Sequence, residues 1–465
     1  MGLYESFSKG LAIFVDYAWG LPLVFLLMGG GLFLFLRSGF MAFQGFGHGF
    51  RLAFGFEKEE KNAPGQISHF GALCNALSST IGMGNIAGVA VAIQQGGPGA
   101  LFWMWLSAVV GMCTKFFECS LSVMYRGEDY QGEVQGGPMY VIEKGLGKNW
   151  KPLAYFFAFC GFFGVIPLFQ INQLSSYMND QFAVPTYVVG GILAVIIGFI
   201  LLGGVRSIAW VNTKIVPVMC VFYVIAALVI VFLNIERVPG IFAMIFKQAF
   251  QPDAMWGGAA GLGLIYVLQT GVKRAAFSNE AGIGTAPLAH GNAKTKEPIK
   301  EGLVAMIGPF LDTIIVCTLT ALVILLTIDF TSPELSKLSG VLLTKKAFEL
   351  NFENYGSLLL GAAVFLFAFS TMLGTANYGV KCWNYLFKGR YGLGEKTFIV
   401  VFSSSIVVGS LFSPDDAVNF IDSAFALMAI PSMTATLLLH KKVLVELKAY
   451  LLRLKMSKKE KVKIA

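Results

Sequence analysis

Between Ser78 and Asn85, an apolar run long enough to cross a bilayer is interrupted by Ser78-Ser79-Thr80-Ile81-Gly82-Met83-Gly84-Asn85. Hydroxyls, an amide and two glycines in so short a stretch are ligand chemistry rather than lipid-facing chemistry. Glycine lets a helix break, and a break frees backbone groups that hydrocarbon tolerates only where they line a cavity or hold something. The freed N–H groups of Met83 and Gly84, at the start of the next half-helix, suit an anionic group. The freed carbonyls from Ser78 to Ile81, with the Asn85 amide oxygen, suit a small cation such as sodium. The competing reading is a Gly/Ser seam for close helix packing. The density of small polar residues favours a solute and ion site of the kind built from discontinuous helices.

Further polar groups lie inside apolar runs. Ser370 and Thr371 are adjacent hydroxyls that either bond back to their own helix or ligate a cation between two helices. In Phe277-Ser278-Asn279-Glu280-Ala281-Gly282, Glu280 is costly in a membrane unless paired or solvated. It is either functional or a partner of Lys273 or Arg274. Gln170, Asn172 and Gln173 are inter-helix glue or substrate ligands. Lys115 and Glu118 have the spacing of an intrahelical ion pair. Asp312 and Lys214 are isolated charges, Lys214 reading as a snorkelling anchor near a helix start.

Other chemistry is excluded. The four histidines (His48, His69, His290, His440) are solitary in sequence, with no HExxH, and neither a Walker A nor a GxSxG motif occurs. The seven cysteines form no CxxC pair and read as small buried hydrophobes. No metal centre of His or Cys, organic cofactor, catalytic residue or enzyme activity is expected.

These residues must be positioned by membrane helices. Hydrophobic residues make up 56% of the 465 and charged residues 13%, against about 25% charged in soluble domains. About eleven spans are expected, near 18–36, 68–94, 98–125, 152–179, 185–203, 210–234, 256–285, 300–327, 355–386, 396–412 and 416–440. The first lacks the flanks of a cleavable signal. The net charge of +8 reflects Lys and Arg in alternate loops and the tail, including Lys58, Lys61 and Lys388. It indicates topology, not nucleic-acid binding, and puts the C-terminus in the cytoplasm and the N-terminus outside. Arg237, Lys247, Lys337, Lys345 and Lys346 sit on the expected outer side and weaken the pattern. Residues 342–351 suit a short outer amphipathic helix. Residues 441–455 suit either a cationic helix on the inner leaflet or a solvated basic tail.

Gly82-Met83-Gly84-Asn85 is echoed by Gly282-Ile283-Gly284-Thr285. The echo divides the chain into an N-terminal helix and connector (1–66), a ten-helix core (67–440, with repeats near 67–234 and 251–440) and a basic tail (441–465). An inverted five-plus-five repeat would place a site between its two broken helices.

The segments ISHFGALCNALSSTIGMGNIAG, GGPGALFWMWLSAVVGM, QGGPMYVIEKGL, GVKRAAFSNEAGIGTAP, FLDTIIVCT and STMLG resemble the sodium:alanine (alanine/glycine:cation) symporter family over nearly the whole chain. The resemblance implies an all-α polytopic protein of LeuT-type fold, with ten core helices and one extra N-terminal helix. It implies co-transport of a small neutral amino acid with sodium by alternating access. Substrate would meet Gly82, Met83, Gly84, Asn85, Gln170, Phe277 and Thr375. Sodium would meet Ser78, Thr80, Ile81, Ser370 and Thr371. Met83 and Thr375 stand where members carry Thr and Trp, which reshapes the pocket. Alanine or glycine is the leading substrate, with serine or glutamine the alternative. A proton-coupled carrier using Lys214 or Glu280, and a non-transporting amino-acid sensor, are the other readings. The short loops suggest a prokaryotic inner membrane, and no obligate protein partner is evident.

Overall fold

The computed structural model describes residues 3–57, 63–251, 263–330, 338–352 and 355–464. The expected start of the seventh span at 256, and Lys58, Lys61 and Lys337 of the charge pattern, lie outside them. In chain order the principal helices are α1 Leu3–Ala18, α2 Leu21–Arg37, α3 His69–Thr80, α4 Gly84–Gly96, α5 Ala100–Met124, α6 Lys151–Gly164, α7 Leu168–Phe182, α8 Thr186–Leu201 and α9 Gly204–Leu233. They continue with α10 Val238–Phe250, α11 Leu264–Asn279, α12 Ala286–His290, α13 Pro298–Thr327, α14 Val341–Phe352, α15 Gly356–Phe387, α16 Glu395–Gly409 and α17 Pro414–Ile464.

Helix occupies all eleven expected positions among the described residues. Six runs are each long and apolar enough to cross a membrane (α5, α6 with α7, α9, α13, α15 and α17), and the bent pairs α1–α2 and α3–α4 qualify together. Three expected spans do not qualify: α8 is apolar but short, α16 has only 15 residues, and α11–α12 carries the polar residues of the second break. The loop after α5 holds a small antiparallel hairpin, Gly127–Glu128 with Val134–Gln135.

The first break bends its helix by 51°. The second is a turn in which Glu280, Gly282 and Gly284 take φ of 56°, 85° and 93°. The two GxG echoes use glycine for different reasons. At Gly282 and Gly284 the backbone is left-handed, which glycine adopts without strain. At Gly82 close approach decides, because a Cβ there would fall 2.1 Å from Thr371 Oγ1.

The broken helices run antiparallel: α3 packs on α12, and α4 packs on α11. Around them, α9 and α15 flank α3, and α5 supports α11 and α13. Gly374 lets α15 approach α3 closely, since a Cβ there would lie 2.3 Å from Ser79 Oγ and 2.4 Å from Ser78 Oγ. Six of the seven thiols are buried, and all are free.

Two peripheral expectations resolve differently. The outer helix forms as α14 but docks into the bundle, with Thr344 Oγ1 donating to the Ile86 carbonyl at 3.2 Å. The basic segment 441–455 is helical but not a separate element. It continues α17 without interruption, with Val443, Leu447 and Tyr450 buried and Arg453 paired to Glu297 at 2.7 Å. Apolar residues at helical spacing keep it packed beyond the last span.

Candidate substrate and ion site

The first break is built by one side chain. α3 ends at Thr80, and Ile81 turns extended (ψ 91°). Gly82 N–H then bonds Asn85 Oδ1 at 2.9 Å instead of the Ser78 carbonyl that a continued helix would offer it. The N–H groups of Met83 and Gly84 open the following turn, and no backbone acceptor for them occurs among the described residues.

A narrow cavity of about 20 Å³ lies between the two breaks. Of the residues expected at the site, Thr80, Gly82, Gly84, Gln170, Phe277, Thr371 and Thr375 line it. Ser78, Ile81, Met83, Asn85 and Ser370 sit behind the wall, all buried. Three lining atoms are buried without a hydrogen-bond partner: Ser79 Oγ, Gln170 Oε1 and Thr371 Oγ1. Native structures rarely leave such groups unpaired.

The neighbouring hydroxyls are engaged. Ser370 Oγ donates to the Phe367 carbonyl at 3.1 Å, and Thr80 Oγ1 donates to the Ala76 carbonyl at 3.2 Å. Ser78 Oγ donates to the Asn75 carbonyl at 2.8 Å and accepts from Asn212 at 2.9 Å. Thr375 Oγ1 donates to the Thr371 carbonyl at 2.9 Å. Of Gln170, Asn172 and Gln173 on α7, the last two are glue. Asn172 Nδ2 donates to the Phe412 carbonyl at 2.6 Å, and Gln173 Oε1 accepts from Val341 N–H at 3.1 Å. Gln170 alone of the three faces the cavity.

The remaining lining includes Glu280, Ile421 and Phe425. Phe277 packs edge-on to Phe169 at 5.2 Å and against Phe425 at 6.0 Å. Glu280 does not pair with Lys273 or Arg274. Its Oε2 accepts from Thr285 Oγ1 at 2.6 Å, and both basic residues turn to Asp422 of α17. The Arg274 guanidinium also stacks over the Phe277 ring at 5.3 Å. These contacts put a buried ion pair directly beside the cavity wall.

The other intramembrane charges hold the breaks in shape. Asp312 accepts from Asn85 Nδ2 (2.6 Å), Ser278 Oγ (2.5 Å) and Thr313 Oγ1 (2.8 Å), joining first break, second break and α13. Glu118 forms no ion pair with Lys115 within 4.0 Å among the described residues. It accepts instead from Gly282 N–H at 3.2 Å and Ser432 Oγ at 2.6 Å. The i,i+3 spacing was a true neighbour relation, but the freed amide of the second break competes for the carboxylate. Sequence reading flagged Asp312 as an isolated charge and missed its role. Arg274–Asp422 joins residues far apart in the chain and has no local signal.

A larger recess of about 210 Å³ lies farther along α15, lined by Ala376 and Val380 with Gln66, Asp129, Glu133 and Arg206. Lys214 is exposed and lines neither space.

A profile of the sodium:alanine symporter family matches residues 4–464. The chain is 41% identical over 440 residues to the sodium/alanine symporter AgcS of Methanococcus maripaludis, covering 94% of this chain and 95% of that protein. It is 34% identical over 441 residues to the probable sodium/glutamine symporter GlnT of Bacillus subtilis, covering 94% and 89%. Among solved structures it resembles MhsT in complex with L-phenylalanine, with a TM-score of 0.55 at 15% identity, covering 79% of this chain and 89% of that one. It also resembles the Eremococcus coleocola manganese transporter, with a TM-score of 0.56 at 11% identity, covering 82% and 83%. These likenesses bear on fold alone and establish the LeuT-type architecture expected from the sequence. The chain belongs to the sodium:alanine symporter family and is a multi-pass amino-acid:cation symporter, a transporter and not an enzyme.

Proposed function

We propose that the protein couples sodium influx to uptake of a small neutral amino acid, alanine or glycine, by alternating access across a prokaryotic cell membrane. The observation that carries this reading is the set of three unpartnered buried oxygens, Ser79 Oγ, Gln170 Oε1 and Thr371 Oγ1, facing one narrow cavity between two antiparallel helix breaks.

The substrate carboxylate meets the N–H groups of Met83 and Gly84 at the positive end of α4. Its ammonium meets Gln170 Oε1 and the Glu280 carboxylate. Phe277 and Thr375 bound its side chain. Sodium takes the Thr371 hydroxyl and backbone oxygens between Ser78 and Ile81, with Thr80 and Ser370 beside them. Gly82 brings Thr371 against the break, so ion and substrate share one wall. Each therefore favours the other's binding by the same factor. Release proceeds toward the recess beyond Ala376 and Val380, on the face that the basic loops assign to the cytoplasm.

The proton-coupled reading loses Lys214, which is exposed, and rests on Glu280 alone. Uptake of radiolabelled alanine into proteoliposomes, under an inward sodium gradient against an equal potassium gradient, decides between them. Accumulation in sodium only supports sodium coupling. Equal accumulation in both, abolished when the proton gradient is collapsed, favours Glu280 and a proton.

A further inference from the structure

The histidines that look solitary in sequence converge on one face of the bundle. His69 begins α3, and His290 ends α12. Both imidazoles bond through Nδ1 to Glu301, in the first turn of α13: His290 to Oε1 at 2.5 Å, and His69 to Oε2. Glu301 is fully buried, His290 is 1% exposed and His69 8%. One carboxylate thus clamps the ends of both broken helices, using both its oxygens.

The segments flanking these ends are already laced together. Ile67 bridges Ala293 in parallel, Lys294 N–H bonds the Ile67 carbonyl at 2.7 Å, and Gln66 N–H bonds the Asn292 carbonyl at 2.8 Å. Arg126 donates to the carbonyls of Gly291 (2.7 Å), Thr295 (3.0 Å) and Ala293. α3 and α12 are therefore one unit, and Glu301 binds that unit to α13.

We propose that His69, His290 and Glu301 form a proton-binding latch that holds the cavity closed toward this face. The inference rests on the transport reading above only in supposing that the broken helices move. Each imidazole needs one proton on Nδ1 to donate to Glu301. With both imidazoles neutral the buried cluster carries one negative charge, and a further proton on either ring cancels it. The bond to the carboxylate is charge-assisted already, and the added proton makes it a contact between opposite charges. Proton loss from the cluster restores its net negative charge, weakens the latch and frees α3 and α12 to open.

The other groups around the cluster do not substitute for it. Arg126 and Cys119, at and near the end of α5, are within electrostatic reach of Glu301. Lys381 of α15 is bound to the Leu288 carbonyl. On the helix Phe46–Ala53, His48 pairs with Glu57 at 3.1 Å, and on α17 Arg453 pairs with Glu297.

Cys74, buried on α3 near Cys220 of α9, reports opening without sodium or substrate. Reconstituted full-length protein is treated with a membrane-permeant maleimide at pH 7, and Cys74 modification is read by peptide mass spectrometry in wild type, His69→Gln and His290→Gln. Glutamine keeps a hydrogen-bond donor but cannot take the extra proton. The latch requires Cys74 to be labelled roughly tenfold faster in either variant, the factor for about 1.4 kcal/mol of lost attraction between the protonated ring and Glu301. It also requires the wild-type dependence of transport rate on lumenal pH between 6 and 8 to flatten in both variants. Labelling equal to wild type in both variants overturns the proposal. A pH profile retained in both overturns it equally. Because labelling needs neither ion nor amino acid, its result stands whatever the uptake assay says about sodium or alanine.

Discussion

Asn85 bonds Asp312 across the bundle: its Nδ2 donates to Asp312 Oδ1 at 2.6 Å while its Oδ1 accepts Gly82 N–H at 2.9 Å. One amide thereby shapes the first break and ties it to α13, and Ser278 ties the second break to the same carboxylate. Asp312→Ala removes the carboxylate that three buried donors share, Asn85 Nδ2, Ser278 Oγ and Thr313 Oγ1, at about 1–3 kcal/mol for each donor left unmatched. Detergent-solubilised Asp312→Ala should unfold at a clearly lower temperature than wild type and lose transport. Asp312→Asn, which keeps an acceptor oxygen, should lose less stability.

Thr371 is the unpartnered hydroxyl on the expected ion side. Thr371→Ala should raise the sodium concentration for half-maximal alanine uptake roughly tenfold, the cost of one ligand bond of about 1.4 kcal/mol. Thr371→Ser should stay near wild type. An unchanged sodium dependence in Thr371→Ala would remove this residue from the ion site.

Gly82→Ala should abolish uptake, because its Cβ meets Thr371 Oγ1 at 2.1 Å and overpacking of this kind costs about 1–3 kcal/mol. Combining it with Thr371→Ala should recover part of the thermal stability. A double-mutant cycle on unfolding temperatures reads that coupling, and strict additivity would mean the two do not press on each other.

Thr375→Trp fills the cavity wall with a bulky ring. Competition against labelled alanine by unlabelled glycine, serine and glutamine should then narrow, glutamine being lost first. Competition by glutamine that survives Thr375→Trp would place the substrate side chain elsewhere.

The Arg274–Asp422 pair is buried, so Asp422→Asn should cost about 3–5 kcal/mol by stranding the guanidinium. Replacing both partners together, Arg274→Met with Asp422→Leu, should restore most of the lost unfolding temperature. If transport stays absent in that stable double variant, the ion pair serves the transport cycle and not only the fold.

Much of this molecule is local information. A run of apolar residues fixes a span because backbone polar groups in lipid must be satisfied within the helix. Helix at the eleven expected positions, the two glycine breaks and the family segments were therefore legible from residue order, as was the grouping of Gly82, Gly84, Gln170, Phe277, Thr371 and Thr375 as candidates, although six to eight of the runs are long and apolar enough to span. Partner choice by buried polar groups was not legible. Glu118 had Lys115 at ion-pair spacing yet accepts the amide of Gly282. Glu280 had Arg274 nearby, yet Arg274 turns to Asp422. Asn85 read as a ligand, yet it is the brace between Gly82 and Asp312. His69 and His290 read as solitary and meet on Glu301. In each case several partners satisfy the same chemistry, and spacing along one helix ranks only the nearest. Which donor a buried carboxylate takes depends on how closely helices approach, and glycines at 82 and 374 allow contacts that no sequence period encodes. Residue order alone determined where the chain crosses the membrane and where its helices break, whereas the packing of α3, α11, α13, α15 and α17 decided which atoms face the cavity.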